Sequence, residues 1–555
     1  MARLKDNKIK RMERGTLITK IQKGVPIAIN KIERGLMMKR IATFLLALLM
    51  LVPMAHVLGG EKELVEISIS MFDRGAIPGD QGTYEDNVVT RYINEHMNPL
   101  GVNVTWISAP RNDARAKYNA MISAGTNPDI FWEYSRFWMD QLRTQEVIMP
   151  LDDIIEKYSV QYKEYAKKHA AMLAPFVTLE DGKVYAFTSL RKLTELPVAG
   201  IWYRKDILDA QGIEVPTTFD EIVEAARKIK AADPTCTPIS GSLHYFNTVM
   251  GIYGLGTEEV LVDGVLVPRH RTDRYAAGMN ALRTLFQEGL VDPEYITDES
   301  MTRQNQLWAS GKSAFSFSTW NIPTGTQELM ETVPGADPYP LPNVASEFGT
   351  FFLTPQAPAR IYTMFTTGMS EEKIQAGVKY IDWLLTDDNW YTVVHGLEGV
   401  QFNMVDGYRE GIPGAPVWAG NEYSVVTDAT YQPGEIAAAD KTNYKVLSER
   451  YEANIKNMFA HPISNTLPYD YSSNAYSELT SNFSPVRSDI QTQIITNPTY
   501  TVEQGVQEMD DAWKSLGGEE VWAKKNEWFK ANEQMYMDFR QAWIDWMVGM
   551  ANAIP

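Results

Sequence analysis

A single cysteine, Cys236, excludes an intramolecular disulfide and any all-cysteine metal site in this chain of 555 residues. Histidine is almost as scarce: the seven present are scattered and form no H-E-x-x-H pair. There is no G-x-S-x-G nucleophile elbow. Gly311-Lys312-Ser313 imitates the end of a phosphate-binding loop, but the glycine that loop needs upstream is replaced by Gln306. No cofactor and no metal are therefore expected. Two carboxylates facing each other across a sugar bond, as a glycosidase requires, leave no linear signature, so that class stays open.

Positive charge is lacking too. The formal net charge is −18, and the first forty residues hold twelve Lys or Arg against three acids, which leaves 40 basic and 67 acidic residues beyond them, a balance of −27. A body so acidic repels phosphate backbones, which excludes nucleic acid as a natural partner. Long apolar runs are absent except for Ile41–Val52, which at about a dozen residues falls short of the ~20 needed to span a bilayer. Behind Met37-Met38-Lys39-Arg40, that run has the make-up of a secretory signal, with Val57-Leu58-Gly59 offering a cleavage site before Gly60. Residues 1–36 show no globular pattern and are expected to be a non-native upstream extension, translation starting at Met37 or Met38. Residues 37–60 are the expected signal peptide, and the alternative is an uncleaved anchor with a basic cytoplasmic extension.

What remains is long enough for two or three domain-sized units. Leu64–Met71 alternates like a strand, Val88–Met97 like a helix, Val102–Ile107 like a second strand and Ala114–Ala124 like a second helix, with a third strand starting at Asp129–Phe131. That alternation predicts an α/β unit with a parallel sheet, whose ligands sit at the carboxyl ends of the strands. Further on, Ile201-Trp202-Tyr203 suits a strand buried on both faces of a parallel sheet, and Lys205–Ala210 a short helix closed by Gly212. Thr218 and Glu221 have the spacing of a capping box, so a longer helix starts there with Ile222, Ala226 and Ile229 on one face. Val333–Asn343, rich in Pro and Gly, fits an exposed connection. Helices are expected at Glu371–Leu385, Tyr444–Met458, Val502–Leu516 and Val521–Met547, with polar loops beyond Gly407.

The run WYRKDILDAQGIEVPTTFDE resembles the strand-helix-helix segment of the family 1 extracellular solute-binding proteins, the sugar and oligosaccharide receptors of bacterial ABC importers. Ser123–Glu133 (SAGTNPDIFWE), Gly182–Phe187 (GKVYAF), Ser310–Asn321 (SGKSAFSFSTWN) and the YIDWLLTDDNW and HGLEGVQF segments between Tyr380 and Phe402 agree in the same order. The resemblance implies a two-lobed α/β periplasmic-binding-protein type II fold, hinge-connected, with the ligand cleft between the lobes. By that analogy one lobe comprises residues 61–192 and 350–402, and the other residues 193–349 and 403–555. It implies an exported monomer, periplasmic or at the outer face of the cytoplasmic membrane, that delivers a sugar to an ABC permease without catalysis. Many relatives carry a lipidated cysteine where this chain has Gly60. Some carry a calcium loop after the helix ending near Lys230, where this chain has AADPTCTPISG with only Asp233 acidic, so no such metal is expected. An exported carbohydrate-active enzyme and a peptide-binding or sensory receptor are the alternatives.

A pyranose has an apolar face and a rim of hydroxyls, so a sugar site needs flat aromatic surfaces and planar polar groups. Asp73 and Arg74 follow the first strand, and Trp132 and Glu133 the third. Trp320 follows the strand Ser313–Ser318 and matches the position at which relatives stack a sugar, with Asn321 beside it. His244 follows Ser240-Gly241, Tyr203 lies in the aromatic run, and His395 and Glu398 lie in HGLEG. Trp202 and the C-terminal tryptophans Trp513, Trp522, Trp528, Trp543 and Trp546 are expected to be packing residues.

Overall fold

A computed structural model describes residues 64–179, 181–192, 199–298, 301–319, 322–351, 356–428, 444–459, 461 and 473–554. The expected upstream segment and signal peptide lie outside the described residues, and so do Trp320 and Asn321.

The first strand, β1 (Val65–Asp73), leads to helix α1 (Val88–Met97), β2 (Val102–Pro110), helix α2 (Ala114–Ala124) and β3 (Ile130–Glu133). Asn87 starts α1 because its side-chain oxygen takes the N–H groups of Val89 and Thr90, which no turn of helix precedes to satisfy. Gly125, at φ +68°, closes α2 in the left-handed region open to glycine. β1 runs parallel to β2, from Val65 opposite Val102 to Asp73 opposite Pro110, and parallel to β3.

The chain then builds a second sheet from β4 (Ala199–Arg204), β5 (Ile239–Gly241), β6 (Phe315–Thr319) and β7 (Pro338–Pro340), in the order β5-β6-β4-β7. Between β4 and β5 the capping box forms as the spacing predicts: Thr218 accepts the N–H of Glu221, and the Glu221 carboxylate takes that of Thr218, opening α3 (Phe219–Ala232). Ile222, Ala226 and Ile229 are buried, and Gly212 sits at φ +62°. After β5 comes α4 (Leu243–Ile252). β8 (Tyr362–Phe365) then returns to the first sheet, antiparallel to β3, giving the order β8-β3-β1-β2. The chain goes on through α5 (Glu371–Leu384), α6 (Asn389–His395), α7 (Tyr444–Phe459) and, at its end, α8 (Glu533–Ala553).

Two expectations need correction here. β4 is antiparallel to both neighbours, β6 and β7, because the Ile201-Trp202-Tyr203 run reports burial on two faces and says nothing of strand direction. Val333–Asn343 is more than an exposed connection: Pro338–Pro340 is the edge strand β7, a position that proline tolerates because no neighbour needs its missing N–H.

The buried apolar side chains fall into two cores. One surrounds the first sheet and takes in α5, α7 and α8; the other surrounds the second sheet and takes in the helices Asn474–Thr496 and Val502–Ser515. Trp513, Trp522 and Trp543 are buried in helix packing. Among the described residues no helix is long and apolar enough to cross a membrane.

Candidate functional site

The carboxyl ends of β1, β2 and β3 meet at one edge of the first sheet, and the start of the antiparallel β8 joins them. Phe72, near the end of β1, sets its ring edge-on to Trp132 of β3 at 4.8 Å and stacks with Tyr134 at 6.2 Å. Trp132 also meets Tyr134 edge-on at 5.6 Å. Arg111, just past β2, lies over the Phe72 and Tyr134 rings at 5.1 Å from each, a cation–π arrangement. Asp73 turns back on its own loop, its Oδ1 accepting the Gly75 N–H at 2.7 Å. Arg74 donates from Nε to Oε1 of Glu422 at 2.5 Å and from Nη2 to the Tyr134 hydroxyl at 3.2 Å.

Glu422 comes from a loop 348 residues away in sequence, and that loop is pinned firmly. Gly420 passes so close to α6 that a Cβ there would lie 1.6 Å from the Val393 carbonyl oxygen, so the passage needs glycine. Trp418 donates from Nε1 to that same carbonyl at 2.8 Å. Tyr423 donates to the Tyr84 carbonyl and accepts from Nδ2 of Asn87, the α1 cap. Arg360, one residue before Ile361 and two before β8, donates to the Ser424 carbonyl and to Oδ1 of Asn421. Burial raises the Glu422 carboxyl above its ordinary value, and the charge and hydrogen bond of Arg74 oppose that, aided by Arg360 and Arg111. The guanidinium at 2.5 Å favours the charged form of this carboxylate.

Four of the sequence candidates are thus brought together: Asp73, Arg74, Trp132 and Glu133. Trp132 is only 2% exposed, in edge-on contact with Phe72 and Tyr134, and its Nε1 has no hydrogen-bond partner. Glu133 is buried with both oxygens engaged, one by the Tyr134 N–H and the other by Nε of Arg115. Tyr134, Arg111 and Glu422 were missed. The first two follow strands directly, so the strand-end rule that selected Arg74 reaches them as well; Glu422 has no sequence signal, because only the folded loop delivers it.

On the second sheet, His244 opens α4 directly after β5, at the end where β5 and β6 finish. Its Nδ1 is sealed without a partner, and burial pushes its pKa down. Tyr203 lies towards the opposite end of the sheet, where it pairs with Phe315 and packs beside Tyr339. A concavity of about 450 Å³ lined by Cys236, Asp233 and Lys312 also lies at that opposite end. There Asp233 accepts from Thr235, and Lys230 donates to the Cys236 carbonyl. Among the described residues no group of three or more His, Cys, Asp or Glu is placed to hold a metal ion.

His395 ends α6, its ring 4.5 Å from that of Tyr391, and its Nε2 is sealed without a partner. Burial holds it well below the ordinary histidine value, helped by the charges of Arg409 and Lys192. Glu398, exposed, stands in the turn before Phe402.

The model of the bacterial extracellular solute-binding protein family matches residues 86–389, more than half of the chain. The chain belongs to this family. This solute-binding protein is 25% identical over 260 residues to the fructooligosaccharide ABC transporter substrate-binding protein FusA of Streptococcus pneumoniae, which covers 42% of the chain and 47% of that relative. The match thus spans about half the length of the curated relative. Solved structures of the same fold include S. pneumoniae FusA in complex with kestose (TM-score 0.64, 17% identity, 84% of this chain and 99% of that one). An HMO-binding, ABC-transporter-associated solute-binding protein of Bifidobacterium longum infantis is similar (TM-score 0.63, 14% identity, 87% and 99%). So is the alginate-binding protein AlgQ2 (TM-score 0.60, 16% identity, 87% and 98%). These likenesses show the two-domain α/β fold of periplasmic-binding-protein type II for this family member.

Proposed function

We propose that the protein captures a sugar or oligosaccharide outside the cytoplasmic membrane and hands it to the membrane subunits of an ABC importer, with no chemistry on the ligand. The observation that carries this reading is the knot at the carboxyl end of the first sheet, where the rings of Phe72, Trp132 and Tyr134, the guanidiniums of Arg74 and Arg111 and the carboxylates of Asp73, Glu133 and Glu422 converge. Flat rings suit the C–H face of a sugar and planar polar groups its hydroxyls. The names of the fructooligosaccharide-transporter relative and of the HMO- and alginate-binding neighbours agree with it.

In this reading the first sheet and its helices form one lobe and the second sheet the other, with the ligand between them. Arg74 and Trp132 serve from the first lobe, joined there by Glu422 from the stretch beyond residue 402, His244 and the Trp320-Asn321 segment serve from the second, and His395 and Glu398 stand near a crossing. A ligand favours the closed state only through contacts it makes on both sides. Micromolar affinity corresponds to about −8 kcal/mol, which two stacked rings and several hydrogen bonds of about 1 kcal/mol net can supply. The protein acts as an exported monomer, with Gly60 where many relatives carry a lipidated cysteine.

Thermal-shift screening separates the rivals, since a bound ligand raises Tm. Oligosaccharides raise Tm and are recovered intact. Cleaved products would establish an enzyme, and a response to peptides alone would establish a peptide receptor.

A further inference from the structure

Two polar atoms in this knot are sealed from water and lack a hydrogen-bond partner: the indole Nε1 of Trp132 and Oε2 of Glu422. Trp132 is 2% exposed and Glu422 5%. They are joined through Tyr134, which packs on the indole, and Arg74, which bonds both Tyr134 and Glu422. Buried polar groups are nearly always paired, so two orphans at the end of a sheet where ligands bind call for partners. The two are complementary in kind. An indole N–H can only donate, and an ionised carboxylate can only accept.

A saccharide hydroxyl does both. A ligand carboxylate would serve Trp132 but would face Glu422 as a like charge in a buried setting, where such repulsion is screened little. The neighbouring cations do not reverse this balance. Arg74 is matched by Glu422. Arg360, itself buried, donates to the Ser424 carbonyl and Asn421. Arg111 has no ion-pair partner among the described residues, but it is exposed over two rings, where solvent weakens its pull on an anion. The balance of −27 beyond the first forty residues opposes an approaching anion at long range.

We infer that this site selects an uncharged saccharide unit over a uronate, and that Glu422 sets the preference by neutralising Arg74 and accepting a ligand hydroxyl. Arg74 is exposed and Tyr134 half-buried, so the two side chains that link the orphan groups reach the surface where a ligand would arrive. The inference rests on the sugar-capture reading and adds the chemical class of the ligand to it.

Calorimetric titration of the purified protein at pH 7 against neutral trisaccharides (kestose, maltotriose, mannotriose) and tri-uronates (trigalacturonate, trimannuronate) tests it. The best neutral ligand is expected to bind at least tenfold more tightly than the best uronate. Glu422→Gln keeps the shape of the side chain but unmasks Arg74, and should narrow that ratio at least tenfold. Arg74→Met takes away the cation nearest the ligand while Arg360 and Arg111 still act on Glu422, and should weaken uronate binding more than neutral-sugar binding, which gives a second reading if Glu422→Gln fails to fold. A uronate that binds as tightly as the best neutral sugar, or a ratio unchanged in a folded variant, overturns the selectivity. If no saccharide of either class binds, the sugar-capture reading itself falls, a result distinct from a reversed preference.

Discussion

Trp132 separates packing from binding at the scale of one side chain. Truncation to alanine removes a buried ring and should cost about 3–5 kcal/mol, read as a fall in the midpoint of urea unfolding. Trp132→Phe keeps a ring against Phe72 and Tyr134 and takes away the orphaned N–H. It should cost far less stability than alanine, yet weaken sugar binding by roughly tenfold, the worth of about one hydrogen bond. Equal binding by Trp132→Phe and the parent would assign the residue to packing alone. His270 makes a pH prediction. It is buried, and burial lowers its pKa to about 4, against Asp510, which acts in the opposite sense. The unfolded chain, with a histidine near 6.5, binds that proton first as pH falls. Stability is therefore whole above about pH 6.5 and is lost on going down towards pH 4, by at most about 3 kcal/mol. His270→Phe should flatten that part of the profile of Tm against pH; an unchanged profile would refute the assignment.

The sequence was readable at the scale of elements wherever local chemistry decides. The Thr218-Glu221 capping box and the Val88–Met97 and Ala114–Ala124 helices stand where spacing places them, because caps and apolar stripes are properties of neighbours. The helix Asn474–Thr496 was not foreseen: Pro485 and a run of Ser, Asn and Thr argue against a helix, and only packing of Leu479, Phe483, Ile490 and Ile494 into the second core sustains it. The stretch read as a single helix, Val521–Met547, is two, broken at Asn532, whose side chain bonds back to the Trp528 carbonyl. The candidate site divides in the same way, strand-end residues being legible and Glu422 not. Gly420→Ala should displace the loop that carries Glu422 and weaken sugar binding, with Tm as the check that the chain still folds; intact binding would show that the loop is not needed. A second element-scale prediction concerns Lys525, buried against Glu259 at 3.0 Å. Lys525→Ala removes the buried cation from beside the Glu259 carboxylate and should cost about 3–5 kcal/mol in denaturant unfolding, whereas Lys525→Met with Glu259→Leu should come close to neutral. A single variant no worse than the double would contradict that pairing.

At the scale of the whole molecule, two sheets come from interleaved stretches of chain: residues 65–133 and 362–365 build one, and residues 199–340 the other. Such interleaving gives several connections between two cores, the layout on which a hinge works. The ligand's contacts with both sides are what would close it, and a sugar that touched the first sheet alone would change nothing in the overall shape. Small-angle scattering of the purified protein, with and without the saccharide that raises Tm most, measures this directly. The account predicts a smaller radius of gyration at saturating sugar, and superimposable curves with and without it would contradict the capture of sugar between two closing lobes.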